Sequence, residues 1–276
     1  VDSMEALEKA INPKTAMIYL LANRSSATGQ PMSVEAIAKV AKKQNIPIMV
    51  DAAAENLSIP VVHFERGADM VAYSGGKAMC GPQCAGLLLG RKDLMLSAWQ
   101  ASSPHHGPGR DNKVGKEEML GMLAAVEAWT TRDHEKEWDR WMDWLNLIAD
   151  KATKIKGVSH KINIPEGLNN RAPNLVISWD PTQFNITGAE VAELFGRSEP
   201  RIAIGSGGKD GLTSINVTPS QMQEGEAKVV ANRLYDTLSE KRPTPDTSLA
   251  APAGNIAGRW DINMAFFSSE STHHMI

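Results

Sequence analysis

The chain has 276 residues, enough for one large domain or two modest ones, and 42% of them are hydrophobic, ample material for a core. Its 29 basic and 32 acidic side chains leave a net charge of −3, which gives no global drive toward nucleic acid or an anionic membrane. No stretch approaches a transmembrane span and no secretory leader is visible. The two cysteines, Cys80 and Cys84, suit neither a zinc site nor a disulfide framework, so a reducing cytoplasm is expected. The chain opens on Val1 and stops on an unfinished pattern, and it reads as cut at both ends.

Residues 4–11 have helical spacing that stops at Asn12-Pro13. Residues 15–21 read as a strand, followed by a polar, turn-rich loop over 23–31. Ser33 caps a predicted helix with Val34, Ile37, Ala38, Val40 and Ala41 on its apolar face. The next strand spans 46–50, so residues 15–51 form a βαβ unit. Further strands are predicted over 69–73 and 85–89, and a helix over 94–101. Residues 102–112 hold glycines, prolines and the pair His105-His106, the make-up of an active-site flap. Adjacent histidines point in different directions and no third ligand is evident, so no metal site is expected.

Residues 116–155 read as one long helix, or two in sequence, with Trp138, Trp141, Leu145 and Ile148 on a packing face. Such a helix, over 116–156, links a large domain (1–115) to a smaller one (157–241). In that smaller domain strands are predicted over 158–164, 174–179, 201–204 and 212–217, with helices over 188–195 and 221–238. The order suits an α+β layer with helices on one face of an antiparallel sheet. A proline- and alanine-rich linker follows over 242–257. Residues 258–267 resume as a strand in which Trp260, Ile262, Met264 and Phe266 alternate with smaller or polar residues. It reads as the start of an appended β module over 258–276.

The chemistry is concentrated between residues 48 and 90. The apolar run Ile48-Met49-Val50 ends on Asp51, and Met70-Val71-Ala72-Tyr73 leads into Ser74-Gly75-Gly76-Lys77. Short apolar runs of this kind read as strands buried on both faces, as in a parallel sheet. A buried carboxylate and a buried amine at the carboxyl ends of such strands lie where open α/β sheets bind ligands. Pyridoxal 5′-phosphate needs this pair: a lysine for its Schiff base and an acid to keep its ring nitrogen protonated. Ser74 is placed to contact the phosphate, Gly75 and Gly76 to let backbone approach it, and Ala53 to lie flat against the ring.

The string Tyr73-Ser74-Gly75-Gly76-Lys77, then Gly81-Pro82-Gln83 and Ala85-Gly86-Leu87-Leu88-Leu89-Gly90-Arg91-Lys92-Asp93-Leu94, resembles fold-type I pyridoxal-phosphate enzymes of the bacterial selenocysteine synthase group. Lys113-Val114-Gly115-Lys116-Glu117-Glu118 and the late Gly258-Arg259-Trp260-Asp261 are similar to the D-glucosaminate-6-phosphate ammonia-lyase branch. The resemblance implies a PLP-dependent transferase-like α/β large domain, mainly parallel, with a smaller α+β carboxyl-terminal domain. It implies Lys77 as the Schiff-base lysine, Asp51 as the ring-nitrogen partner and Ser74 as a phosphate contact. Asn23 matches a position that hydrogen-bonds the cofactor's 3′-oxygen, and Arg201, Arg110 and Lys116 are the candidate substrate contacts.

The expected activity is a lyase acting on an amino acid or aminosugar acid, releasing ammonia and a 2-oxo acid, in a homodimer or higher homo-oligomer. The rivals are selenium or sulfur transfer to a seryl group on tRNA, which the missing basic surface disfavours, and a non-catalytic homologue.

Overall fold

The computed structural model describes residues 1–169, 172–244, 254–255 and 257–276. The chain divides into two compact units, Val1–Glu240 and Lys241–Ile276.

The first unit opens with helix α1 (Met4–Ala10), capped by Ser3, whose hydroxyl accepts from the Ala6 N–H at 3.2 Å. Strand β1 (Ile18–Leu21) leads through a 3-10 turn to α2 (Val34–Lys43), which Ser33 caps as its sequence predicts. Next come β2 (Ile48–Asp51), a short α3 (Val62–Glu65), β3 (Met70–Ser74) and β4 (Gly86–Gly90). The sheet order is β1-β2-β3-β4; the first three strands run parallel and β4 returns antiparallel.

Register fixes which side chains share a face, because paired residues point the same way and neighbours along a strand alternate. Leu21 stands beside Asp51, Asp51 beside Ala72, and Ala72 beside Leu88. Tyr19, Met49, Asp51, Ala72 and Ser74 therefore share one face. Ile18, Ile48, Val50, Val71 and Tyr73 occupy the other, clustered with Val34, Ile37, Ala38 and Ala41 of α2. The expectation of strands buried on both faces holds for one side only. On the other, Tyr19 is 56% and Leu21 51% exposed, because the apolar stripe of α2 covers the opposite side.

Helix α4 (Lys92–Ala101) precedes α5 (Lys116–Thr131) and α6 (His134–Ala152). The run expected over 116–155 is thus two helices, broken where Asp133 caps α6 by accepting from the Lys136 N–H at 3.0 Å. A second core forms on β5 (Ser159–Asn163), β6 (Asn174–Trp179), β7 (Gly205–Lys209) and β8 (Leu212–Val217), an antiparallel sheet in the order β5-β6-β8-β7. After the short α7 (Pro181–Phe184) come α8 (Gly188–Arg197) and α9 (Glu226–Ser239); Leu145 and Ile148 of α6, Val191 and Phe195 of α8 and Leu234 of α9 pack with Leu175, Ile177 and Ile215 from that sheet.

Two predicted elements shift. Residues 201–204 are not a strand; β7 begins at Gly205 and runs through Gly-Ser-Gly-Gly-Lys as an exposed edge. Its ladder to β8 is made by backbone groups, so no side-chain alternation announces it. The helix expected from 221 starts at Glu226, after a 3-10 turn over Pro219–Gln221. The two cores are tied where Asn56 N–H donates to the Leu168 carbonyl at 2.8 Å, next to a β-bridge between Glu55 and Asn169.

The second unit is a hairpin of β9 (Trp260–Ala265) and β10 (Glu270–Met275). The strand expected over 258–267 is β9; its return strand was not foreseen. Asp261 and His274 meet at 2.6 Å across the hairpin. Much of the linker expected over 242–257, namely 245–253 and 256, lies outside the described residues.

Candidate active site

Asp51 is the last residue of β2, and β3 runs alongside it in parallel register to Ser74. Three residues further, Lys77 stands on the turn that leaves β3. Acid and lysine therefore emerge at the same end of adjacent strands, the carboxyl-end edge where open α/β sheets bind ligands. Their burial is less than expected: Asp51 is half-buried and Lys77 is exposed, because the lysine sits beyond the strand on a turn.

The Asp51 carboxylate is held at both oxygens. Tyr19 Oη donates to Oδ2 at 2.5 Å, and the Ala53 N–H donates to Oδ1 at 3.0 Å. No cation pairs with it among the described residues. A carboxylate has about four acceptor sites, so capacity remains for an N–H donor. Ala53 thus serves the acid through its backbone amide, and its half-buried methyl group lies beside that site.

The Lys77 turn is closed by backbone bonds: Gly75 N–H to Ala85 O at 2.9 Å, Gly81 N–H to Gly75 O at 2.7 Å and Cys80 N–H to Lys77 O at 3.0 Å. Gln83 Nε2 adds a bond to Gly76 O at 3.1 Å. This closure explains the glycines. A Cβ on Gly75 would stand 2.7 Å from Met122 Sδ and 2.8 Å from Ala85 O; one on Gly76 would stand 2.5 Å from the Gln83 carboxamide. Ser74 is half-buried on the face that carries Asp51 and makes no side-chain hydrogen bond among the described residues.

The remaining candidates are more scattered. The Asn23 carboxamide oxygen caps the 3-10 turn of Arg24–Ser26, accepting from the Ser25 and Ser26 N–H groups at 2.8 and 3.3 Å. Arg110 donates to the carbonyls of Pro104 and His105, and so fastens its own loop. That loop is further closed by His105, which stands edge-on to Trp99 and meets the Trp99 carbonyl at 3.1 Å. Lys116 is exposed at the start of α5, and Arg201 is exposed in the coil before β7.

Sequence reasoning missed a buried pair behind the acid. His63 Nε2 lies 2.6 Å from Glu55 Oε2, with side chains 2% and 9% exposed. Tyr73, from the buried face of β3, is pushed up to about 12 by burial and by the Glu55 charge. Trp129 Nε1 donates to Leu57 O at 2.9 Å, linking α5 to the same loop. None of these has a sequence signal beyond an ordinary polar residue next to a strand.

Residues 1–110 match the aminotransferase class-V family. Over 83% of its length the chain is 29% identical to D-glucosaminate-6-phosphate ammonia lyase of Salmonella typhimurium, covering 59% of that protein. It is 26% identical to 5′-C-glycyluridine monooxygenase-decarboxylase of a Streptomyces species, across 86% of this chain and 57% of that one. L-seryl-tRNA(Sec) selenium transferase of Proteus mirabilis is 27% identical over 55% of this chain and 34% of its own. A solved structure of D-glucosaminate-6-phosphate ammonia-lyase superposes with a TM-score of 0.65 at 27% identity, covering 84% of this chain and 60% of that one. The chain thus spans less than two thirds of these relatives. The resemblance read from the sequence is borne out, and the fold is the fold-type I α/β architecture, whose cofactor is pyridoxal 5′-phosphate.

The residues present fit that cofactor. An acid with no cationic partner retains acceptor capacity, and a half-buried hydroxyl shares its face. An exposed amine without an ion pair among the described residues stands at the same sheet end.

Proposed function

We propose that this chain, with the fold-type I architecture and aminotransferase class-V sequence in its first 110 residues, is the core of a pyridoxal-phosphate-dependent lyase. The reading is an α,β-elimination on an amino acid or aminosugar acid that releases ammonia and a 2-oxo acid. The observation that carries it is the parallel β2–β3 register, which brings Asp51 and the Lys77 turn to one sheet end.

Lys77 Nζ would hold the cofactor covalently, Asp51 would face its ring nitrogen, and Ser74 and the Gly76 backbone would lie at its phosphate. Ala53 would border the ring, and Asn23 is retained as a contact for its 3′-oxygen. Bound there, the cofactor supplies an electron-accepting ring conjugated to the substrate α-carbon. Lys77 Nζ would also be the group to take the α-proton, and its position on an exposed turn gives it the reach to do so. Asp51 keeps a negative charge opposite the ring nitrogen, fixed in orientation by Tyr19 and Ala53. Arg201 is assigned to the substrate carboxylate as a bidentate fork, and Arg110 and Lys116 to a phosphate on the substrate. For Arg110 this requires exchanging the loop carbonyls it now holds.

The partner is a second copy of the chain. Met119, Leu120 and Leu123 form an exposed apolar face on α5, which supports that reading. Two exposed free thiols, Cys80 and Cys84, support a reducing cytoplasm. No helix among the described residues is long and apolar enough to cross a membrane.

The test is to incubate the protein with pyridoxal 5′-phosphate, reduce with borohydride and map the modified residue. Label at Lys77, with no uptake or turnover in Lys77→Ala, is the expected result. Label elsewhere, or turnover retained by the variant, refutes the proposal. Binding of seryl-tRNA with selenium transfer would move the reading to the transferase rival.

A further inference from the structure

Tyr19 carries no motif. In β1 it is one more residue on an alternating strand, and nothing in its neighbourhood marks it as chemical. The structure gives its phenol a specific partner. Leu21 is the register partner of Asp51, so Tyr19 sits two residues earlier on the adjacent strand, on the face that carries the acid. From this diagonal position, which a long aromatic side chain can span, Oη reaches Asp51 Oδ2 at 2.5 Å. That length belongs to the short class formed by a hydroxyl with an ionised carboxylate. The other oxygen is held by the Ala53 N–H at 3.0 Å, so the carboxylate plane is fixed from both sides.

Tyr19 is 56% exposed, and a bond so open to water adds little to folding. Its consequence lies in orientation. With one donor on each oxygen, the acceptor sites left on Asp51 are the only ones an incoming N–H can use. Both donors are neutral, so neither sets a formal charge beside the acid.

We propose that Tyr19 is a positioning residue: it holds the Asp51 carboxylate in the plane and charge state that a ring N–H requires. The role rests on the pyridoxal-phosphate reading of Asp51. The hydrogen bond to Asp51, with partial desolvation and the Asp51 charge behind it, raises the phenol's own pKa above its ordinary value. That rise gives a readout independent of any cofactor.

The experiment has two arms, both on the full chain. In the first, phenol ionisation is followed by ultraviolet absorbance without cofactor, in the wild type, Tyr19→Phe and Asp51→Asn. The chain has three tyrosines, so Tyr19 is identified by difference. A phenol that ionises late in the wild type, vanishes in Tyr19→Phe and returns toward its ordinary value in Asp51→Asn is expected. A Tyr19 that titrates identically with and without the Asp51 charge overturns the proposal.

In the second arm, wild type and Tyr19→Phe are titrated with pyridoxal 5′-phosphate and with an analogue whose ring nitrogen is replaced by carbon. Tyr19→Phe should weaken uptake of the natural cofactor by about five- to tenfold, the scale of one ordinary hydrogen bond. It should leave the analogue unchanged. Equal loss for both ligands would mean a merely structural role, and tighter uptake would mean that the phenol competes for the acid. Either overturns the proposal. Failure of the wild type to take up any cofactor overturns the functional reading and the ring-directed role together. Intact uptake with an unaltered phenol titration overturns the role of Tyr19 alone.

Discussion

Glu55, four residues beyond the candidate acid, and His63 face each other at 2.6 Å inside the protein, and solvent reaches almost none of either side chain. His63 Nδ1 is also buried and has no hydrogen-bond partner among the described residues. The pair helps to hold the loop after β2 against α3. Removing one member leaves the other buried and unsatisfied. Glu55→Ala or His63→Ala should each cost about 2–4 kcal/mol. Replacing both together should cost clearly less than the sum, and urea unfolding of the four-member cycle measures the difference.

Gly75→Ala should destabilise by about 1–3 kcal/mol, the usual range for forcing atoms into a packed site. The added Cβ meets Met122 Sδ at 2.7 Å, but also the backbone carbonyls of Ala85 and Pro82 at 2.8 and 2.9 Å. Shortening the flexible side chain with Met122→Ala should therefore restore only part of the loss. Full recovery in the double variant would show that the carbonyls do not matter.

Tyr73 predicts a feature at alkaline pH. Its folded pKa is raised to about 12 from the ordinary 10, first by burial and then by Glu55. The neutral phenol is thus favoured by folding. That contribution is complete below pH 10 and is lost as pH rises from 10 through 12. Tyr73→Phe should remove this alkaline loss while costing little near neutrality, since the buried hydroxyl finds no hydrogen-bond partner among the described residues. Thermal melts of both proteins between pH 8 and about 11 would check it.

Thr187 heads α8 with a reciprocal cap: its hydroxyl accepts from the Glu190 N–H at 3.2 Å, and Glu190 Oε2 accepts from the Thr187 N–H at 2.7 Å. Thr187→Ala should cost about 1 kcal/mol in chemical denaturation. Thr187→Ser should cost much less.

What the sequence disclosed tracks where side chains carry the signal. The apolar runs before Asp51 and Lys77 became β2 and β3, and Ser33 capped α2, because alternation, burial and capping are written in residue type. β7 was misplaced by about one strand because four of its five residues are glycine or serine. β10 was missed because Glu-Ser-Thr-His-His-Met has no apolar alternation; cross-strand bonds such as Asp261 to His274 make it instead. In the candidate site, the strand-end positions of Asp51 and Lys77 were legible. Tyr19, Glu55 and His63 were not, since their roles come from register and from burial that only the folded sheet creates.

The loop that follows Asp51 is gripped from three directions: by the Trp129 indole at Leu57, by the Leu168 carbonyl at Asn56 and by His63 at Glu55. The lysine has no comparable scaffolding around its side chain. The acid's side of the candidate site is therefore stiff and the lysine's compliant, so a ring bound there as proposed would take its bearings from the acid while the amine adapts. Substitutions near Leu168 can reach the acid through the backbone, whereas changes on the outer surface of the Lys77 turn should be absorbed locally.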